Sequence, residues 1–171
     1  MIAFLQCAAI AALVVFLHHW QASARRRNKQ SWESLLARLR PDWSSRELND
    51  PNLWERALNS SPEEKWQRID GAKGLIAMYQ NASVMLEMAD YAARNCETVD
   101  RELLASLRSD AMQIRLAVLL ALARYAFSQV NESICVNALR AASTYTGMTA
   151  RMTELLQANA SGMVPNFVAA M

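Results

Sequence analysis

The stretch Leu103–Phe127, LLASLRSDAMQIRLAVLLALARYAF, decides the fold. Leu104, Leu107, Ala111, Ile114, Val118, Ala121 and Tyr125 recur at alternating steps of three and four, the spacing of one face of an α-helix. Leu116, Leu119, Leu120 and Leu122 lie off that face, so the pattern predicts the most buried helix of the molecule. Arg115 and Arg124 bracket its most apolar part with eight residues between them. That is far short of the roughly 20 apolar residues a membrane span requires.

Working outward, two flanking segments repeat the pattern. On the N-terminal side Leu75, Met78, Ala82, Met85, Ala89, Ala92 and Cys96 form an apolar seam, which Ile76, Tyr79, Leu86 and Ala93 widen. On the C-terminal side Cys135, Ala138, Ala142, Tyr145, Thr149, Met152 and Leu156 form a third. Thr149 weakens it, and Gly147 is a residue that costs about 1 kcal/mol relative to Ala inside a helix. Ser61-Pro62-Glu63-Glu64 is a helix start with acids in its first turn, and the helix it opens should run to about Asn95, with Gly71 and Gly74 as sites of interruption. Thr98 or Asp100 should cap the central helix, and the chain should turn near residues 128–131. Long helices joined by short turns favour antiparallel neighbours. The expected core is a three-helix bundle, with a segment around Trp32 or Trp54 as a fourth element. Leu75, Met78, Met85, Leu104, Leu107, Ile114, Val118, Tyr125, Tyr145 and Met152 are the candidate packing or partner seam.

Composition agrees with an all-α chain. Only four Gly and four Pro punctuate 171 residues, and no segment alternates apolar and polar residues long enough to make a strand. Cys7, Cys96 and Cys135 do not form a disulfide framework and suit small buried positions.

The N-terminus is of a different kind. Ile2–Trp20, IAFLQCAAIAALVVFLHHW, contains no acid, Lys or Arg, and nineteen helical residues span about 28 Å, close to the apolar thickness of a bilayer. Trp20 suits the interface, and Arg25, Arg26, Arg27 and Lys29 follow it. A cleavable signal peptide is the rival reading, with Ala22-Ser23-Ala24 as its cleavage site and export as its consequence. Against it, no basic residue precedes the apolar run, and the arginines sit on the flank where they oppose translocation. The expectation is therefore an N-terminal single transmembrane helix, with a short N-terminus outside and the bundle in the cytoplasm. Domain limits follow: an anchor over 1–24, a basic juxtamembrane stalk and linker over 25–50, the bundle over 51–162 and a tail over 163–171. The stalk contains the amphipathic SWESLLARLR, with Trp32, Leu35, Leu36 and Leu39 at helical spacing, ending before Pro41. A further short helix is expected from Asp50-Pro51 to about Asn59.

Charge narrows the partners. Residues 25–50 hold seven basic and four acidic side chains, whereas residues 51–171 hold eleven and twelve. A near-neutral bundle is not a nucleic-acid-binding face, and the basic cluster suits anionic lipid headgroups. Histidine occurs only at His18 and His19, which leaves the bundle no imidazole for acid–base catalysis or metal binding, and adjacent helical residues diverge by about 100°. Gly71-Ala72-Lys73-Gly74 lacks the flanking strands of a backbone-clamping Gly-x-x-Gly loop and reads as a helix break or close crossing. Glu87 with Asp90, and Asp100 with Glu102, read as solvated or dipole-paired carboxylates. Asn-x-Ser sequons begin at Asn59, Asn81, Asn131 and Asn159 and matter only in a secretory compartment. No cofactor, metal or enzymatic activity is expected. What remains is a membrane-anchored interaction or scaffold protein, partnered by the bilayer and by another protein or its own copy. A bundle holding a small apolar ligand among Tyr79, Met85, Tyr125 and Met152 is the alternative.

Overall fold

The computed structural model describes residues 31–41, 60–97, 99–127 and 130–171. Every regular element among them is helical. In chain order these are α1 (Trp32–Leu36), α2 (Pro62–Arg68), α3 (Gly71–Asn95), α4 (Arg101–Phe127), α5 (Glu132–Asn159), a 3-10 turn (Ser161–Met163) and α6 (Val164–Ala170). None of the described helices is long and apolar enough to cross a membrane. The segment expected to do so, Ile2–Trp20, lies outside the described residues, as do Trp20, Arg25, Arg26, Arg27, Lys29, the linker after Pro41 and the short helix expected at 50–59.

Three long helices form the body. Asp90 meets Arg108 and Ser83 meets Arg115, so seven residues back along α3 correspond to seven forward along α4. Asp110 meets Arg151 and Arg124 meets Ser133, so α5 likewise runs against α4. The result is an up-down-up bundle in which α4 is antiparallel to both neighbours. Its core holds the predicted seams almost intact. Leu75, Met78, Met85, Leu107, Ile114, Val118, Tyr145 and Met152 are fully buried, and Leu104 nearly so. Each such large apolar side chain stabilises the fold by about 1.5–3 kcal/mol through burial.

Caps define the helix ends. Ser61 Oγ accepts from the Glu64 N–H while Glu64 Oε2 accepts from the Ser61 N–H, a capping box with Pro62 in the first turn. Asp100 Oδ1 accepts from the Glu102 N–H, and Asn131 Oδ1 from the Ile134 N–H. The helix expected from Pro62 to Asn95 is in fact two. Asp70 and Gly71 both have positive φ, 56° and 57°, which turns the chain between α2 and α3. Gly74, one turn later, lies so close to this turn that a Cβ there would sit 1.7 Å from the Ile69 carbonyl oxygen. Gly147 leaves α5 unbroken, and Thr149 is buried with its hydroxyl donating to the Tyr145 carbonyl at 2.9 Å.

Short elements cover two regions of the bundle. Helix α1 packs on α3 and α6, burying Leu35, Leu36 and Leu39, with Trp32 edge-on to Tyr91 at 4.9 Å. The C-terminal tail folds as α6 and buries Phe167 and Met171. Helix α2 sits over the start of α5, where the Cys135 thiol donates to the Pro62 carbonyl at 3.2 Å. There Lys65 Nζ reaches Glu132 at 2.8 Å from a stem that is almost wholly covered.

One expectation fails clearly. Helix α4 is not the most buried helix: Leu116, Leu119 and Leu120 are exposed and Leu122 is half-buried. The reason is geometric. Its two flanking helices occupy one side only, and the short covering elements pack mainly on α3 and α5. Tyr125, placed on the inner seam by spacing, is exposed near the end of α4, and its ring tilts against Trp66 of α2 at 4.9 Å. Ile76 and Ala93, read as widening the α3 seam, are also exposed.

Candidate interaction surface

Helix α4 exposes a second apolar stripe on the side opposite its buried seam. Met112, Leu116, Leu119, Leu120, Ala123 and Phe127 all lie within about 100° of arc, since successive residues advance about 100°. Met112 is 64% exposed, Leu116 62%, Leu119 54% and Phe127 91%. At 1.5 Å per residue the stripe is roughly 22 Å long. Single exposed leucines are ordinary on protein surfaces, but a contiguous apolar stripe marks a contact site.

Arginines border the stripe on both flanks. On the α3 side Arg108 Nη2 is 2.9 Å from Asp90 Oδ1, and Arg115 donates to Ser83 Oγ at 2.9 Å with its guanidinium 5.8 Å from the Tyr79 ring centre. On the α5 side Arg124 donates to the Ser133 hydroxyl. Arg140 is exposed and shares the α5 line that carries Ser133 and Arg151, both of which face α4. Between Arg108 and Phe127 the helix has one carboxylate, Asp110, and it turns inward onto Arg151. Burial between α4 and α5 raises the Asp110 carboxyl above its ordinary value, outweighing the downward pull of Arg151. The outward face is therefore apolar along its crest and basic along both edges.

At the C-terminal end of the stripe the crest dips into an open depression of about 380 Å³, lined by Leu120, Ala123, Arg124, Phe127, Asn131 and Ser133. Its floor is apolar and its rim carries a guanidinium, an amide and a hydroxyl. A second depression lies where Trp32 meets the chain leaving α5, between Gln157 and Met163, and has no charged side chain in its lining.

The residues singled out from sequence divide accordingly. Nine of the ten seam residues fill the core, and only Tyr125 reaches the surface. Tyr79, Met85, Tyr125 and Met152 do not gather as a ligand set: Met85 and Met152 are fully buried, Tyr79 lies beneath Arg115 and Tyr125 lies against Trp66. Among the described residues no group of three or more His, Cys, Asp or Glu is placed to hold a metal. Cys96 and Cys135 are free thiols, and burial pushes that of Cys135 up, away from the reactive thiolate.

Sequence reasoning missed Asn81 altogether as a structural residue. Its side chain is fully buried and pairs with both backbone polar groups of one residue: the Arg40 N–H donates to Oδ1 at 2.9 Å, and Nδ2 donates to the Arg40 carbonyl at 2.8 Å. Nδ2 also reaches the Tyr145 hydroxyl at 3.0 Å. One amide thus ties the exit of α1 to both α3 and α5, and its burial leaves no exposed side chain at the Asn81 sequon in the folded bundle. The signal was present, because Asn81 lies three residues after Met78 and four before Met85, a polar residue set into an apolar face.

Comparison with protein-family models, with curated proteins and with solved structures found no match to this chain.

Proposed function

We propose that the chain is a non-enzymatic interaction module, a helical bundle anchored to a membrane by Ile2–Trp20 and presenting the outer face of α4 as its contact surface. The anchor reading rests on the length of that apolar run and on Arg25, Arg26, Arg27 and Lys29 behind it, a charge pattern that favours a bundle on the cytoplasmic side. The contact reading rests on one observation: the stripe of roughly 22 Å from Met112 to Phe127, exposed on a helix whose opposite face is packed from Leu104 to Ala121. A bundle without a use for that face would gain solubility from polar residues there.

The test is a photo-reactive amino acid placed at Leu119 in the full-length chain and, as a control, at exposed Glu154 of α5. Discrete adducts at Leu119 but not at Glu154, whether to lipid or to protein, are the expected result. An unreacted Leu119 probe in intact membranes eliminates the contact surface. Fusing export-active and cytoplasm-active reporters to the C-terminus checks the topology separately.

A further inference from the structure

Resting on that reading, we infer that what the outer face of α4 contacts is the anionic bilayer surface itself, with the crest from Met112 to Phe127 inserted among the acyl chains and the flanking arginines at headgroup level. Three observations favour lipid over a partner helix or a second copy.

The first is shape. A partner helix in a groove takes its walls from two host helices. Here the apolar surface runs mainly along the convex crest of one helix. Most bordering positions on α3 and α5 are polar, Ser83 and Asp90 on one side and Asn137, Arg140 and Thr144 on the other, with Ile76 the apolar exception on the α3 line. A stripe about 100° wide on a single crest is the form of a helix lying in an interface, broader than the seam of a two-stranded coiled coil.

The second is charge. Arg108 and Arg115 lie on one flank and Arg124 and Arg140 on the other, and the neighbouring carboxylates Asp90, Asp110 and Glu132 are each engaged by a basic side chain. Guanidinium groups on both edges of an apolar crest match a layer of lipid phosphates. A second copy would set one basic rim against another. Arg140 forms no ion pair among the described residues, so its charge is available to a headgroup.

The third is the depression at the end of the crest. Leu120, Ala123 and Phe127 form an apolar floor beneath the Arg124 guanidinium, the Ser133 hydroxyl and the Asn131 amide. This pairing of greasy floor and hydrogen-bonding rim suits the glycerol-phosphate junction of a lipid. Phe127, the most exposed large side chain of the stripe, then sits at the boundary where aromatic rings are favoured.

The experiment uses the full-length chain reconstituted into vesicles, with an environment-sensitive fluorescent amino acid at Leu119. Phosphatidylcholine vesicles are compared with vesicles containing about one-third phosphatidylglycerol, an approximate fraction chosen to supply surface charge. In the anionic vesicles the fluorescence should shift to the blue, be quenched by lipids brominated along the acyl chain, and revert as salt is raised. Exchanging two exposed rim charges, Arg124→Gln and Arg140→Gln, should lower the docked-to-undocked ratio roughly thirtyfold and leave the circular dichroism unchanged. Leu116→Ser with Leu120→Ser should abolish quenching from an unaltered fold.

A probe that stays solvated in both vesicle types overturns the inference. So does protection that scales with protein density, which identifies a second copy, or a protein adduct at Leu119 without lipid quenching. In these last two cases the contact surface itself stands and only its occupant is wrong. No adduct and no quenching together defeat both readings.

Discussion

On its inner side α4 carries Leu104, Leu107, Ala111, Ile114, Val118 and Ala121, and on its outer side Met112, Leu116, Leu119, Leu120, Ala123 and Phe127. The two stripes are of similar size and composition, yet one is almost fully buried and the other lies open to solvent. Hydrophobicity alone does not decide which. The inner stripe is buried because α3 and α5 pack there, and because Asp90–Arg108, Ser83–Arg115 and Asp110–Arg151 fix the register of that packing. The outer stripe is open because the short elements are committed elsewhere: α1 and α6 on α3 and α5, and α2 at the start of α5. An apolar residue on this helix contributes to the fold on one face and to contact on the other.

The sharpest way to break that contrast is to shorten one residue from each stripe. Ile114→Ala removes a fully buried side chain from the centre of the core and should cost about 2–5 kcal/mol of unfolding free energy. Leu116→Ala, two positions along but on the outer face, should change stability by less than about 0.5 kcal/mol. Denaturant unfolding of the full chain in detergent compares the two. Equal losses would mean that the outer stripe is already covered in the isolated protein, and the contact surface would vanish with that result.

Asn81 tests the same distinction for polar groups. Asn81→Ala leaves the Arg40 N–H and carbonyl without their partner and takes one donor from the Tyr145 hydroxyl, and should cost about 1–3 kcal/mol. Because the lost bonds hold the exit of α1, amide exchange over Leu35–Arg40 should quicken more than that over the α4–α5 contact. Uniform acceleration across the bundle would show that Asn81 supports the core as a whole. At the surface, Arg38→Ala removes a two-pronged pair with Glu87, at 2.5 and 2.9 Å, in which both side chains are well exposed. Such pairs contribute about 0.2–1 kcal/mol, and the loss should shrink as salt is added.

These contrasts also mark how far the residues could be read in advance. The inner seams were legible because steps of three and four over six or seven positions leave little freedom in which face turns inward, as the burial of Leu107, Ile114 and Met152 bears out. The outer stripe was misread as core because a helix apolar on all sides usually is core, and spacing along one helix does not reveal how many others will cover it. The break before α3 was half legible. Gly71 and Gly74 pointed to it, but Asp70 at positive φ had no signal of its own, since that conformation depends on how α2 meets α3. The arginine rim was visible only as scattered charges, because Arg124 and Arg140 lie on different helices and share an edge only once α4 and α5 pack.

The smallest effect expected is a slope rather than a loss, and it arises where the two faces of α4 meet. Asp110 turns inward to Arg151, and burial holds its carboxyl above the ordinary value of 3.8 despite that arginine. A carboxyl whose folded value lies above its unfolded one binds its proton more tightly in the folded protein. Its contribution to stability is therefore most favourable under acidic conditions. It declines as pH rises from 3.8 through the raised folded value, and is level above it. Other carboxylates titrate in the same window, so the measurement is a difference: the unfolding free energy of the wild type minus that of Asp110→Asn should fall with rising pH across that interval. A difference that climbs with pH would mean that Arg151 outweighs burial and that the pair stabilises the α4–α5 contact. If it falls, keeping this carboxylate on the inner side costs the bundle a little stability at neutral pH. What that position secures is an outer face of α4 that carries no carboxylate between Arg108 and Phe127.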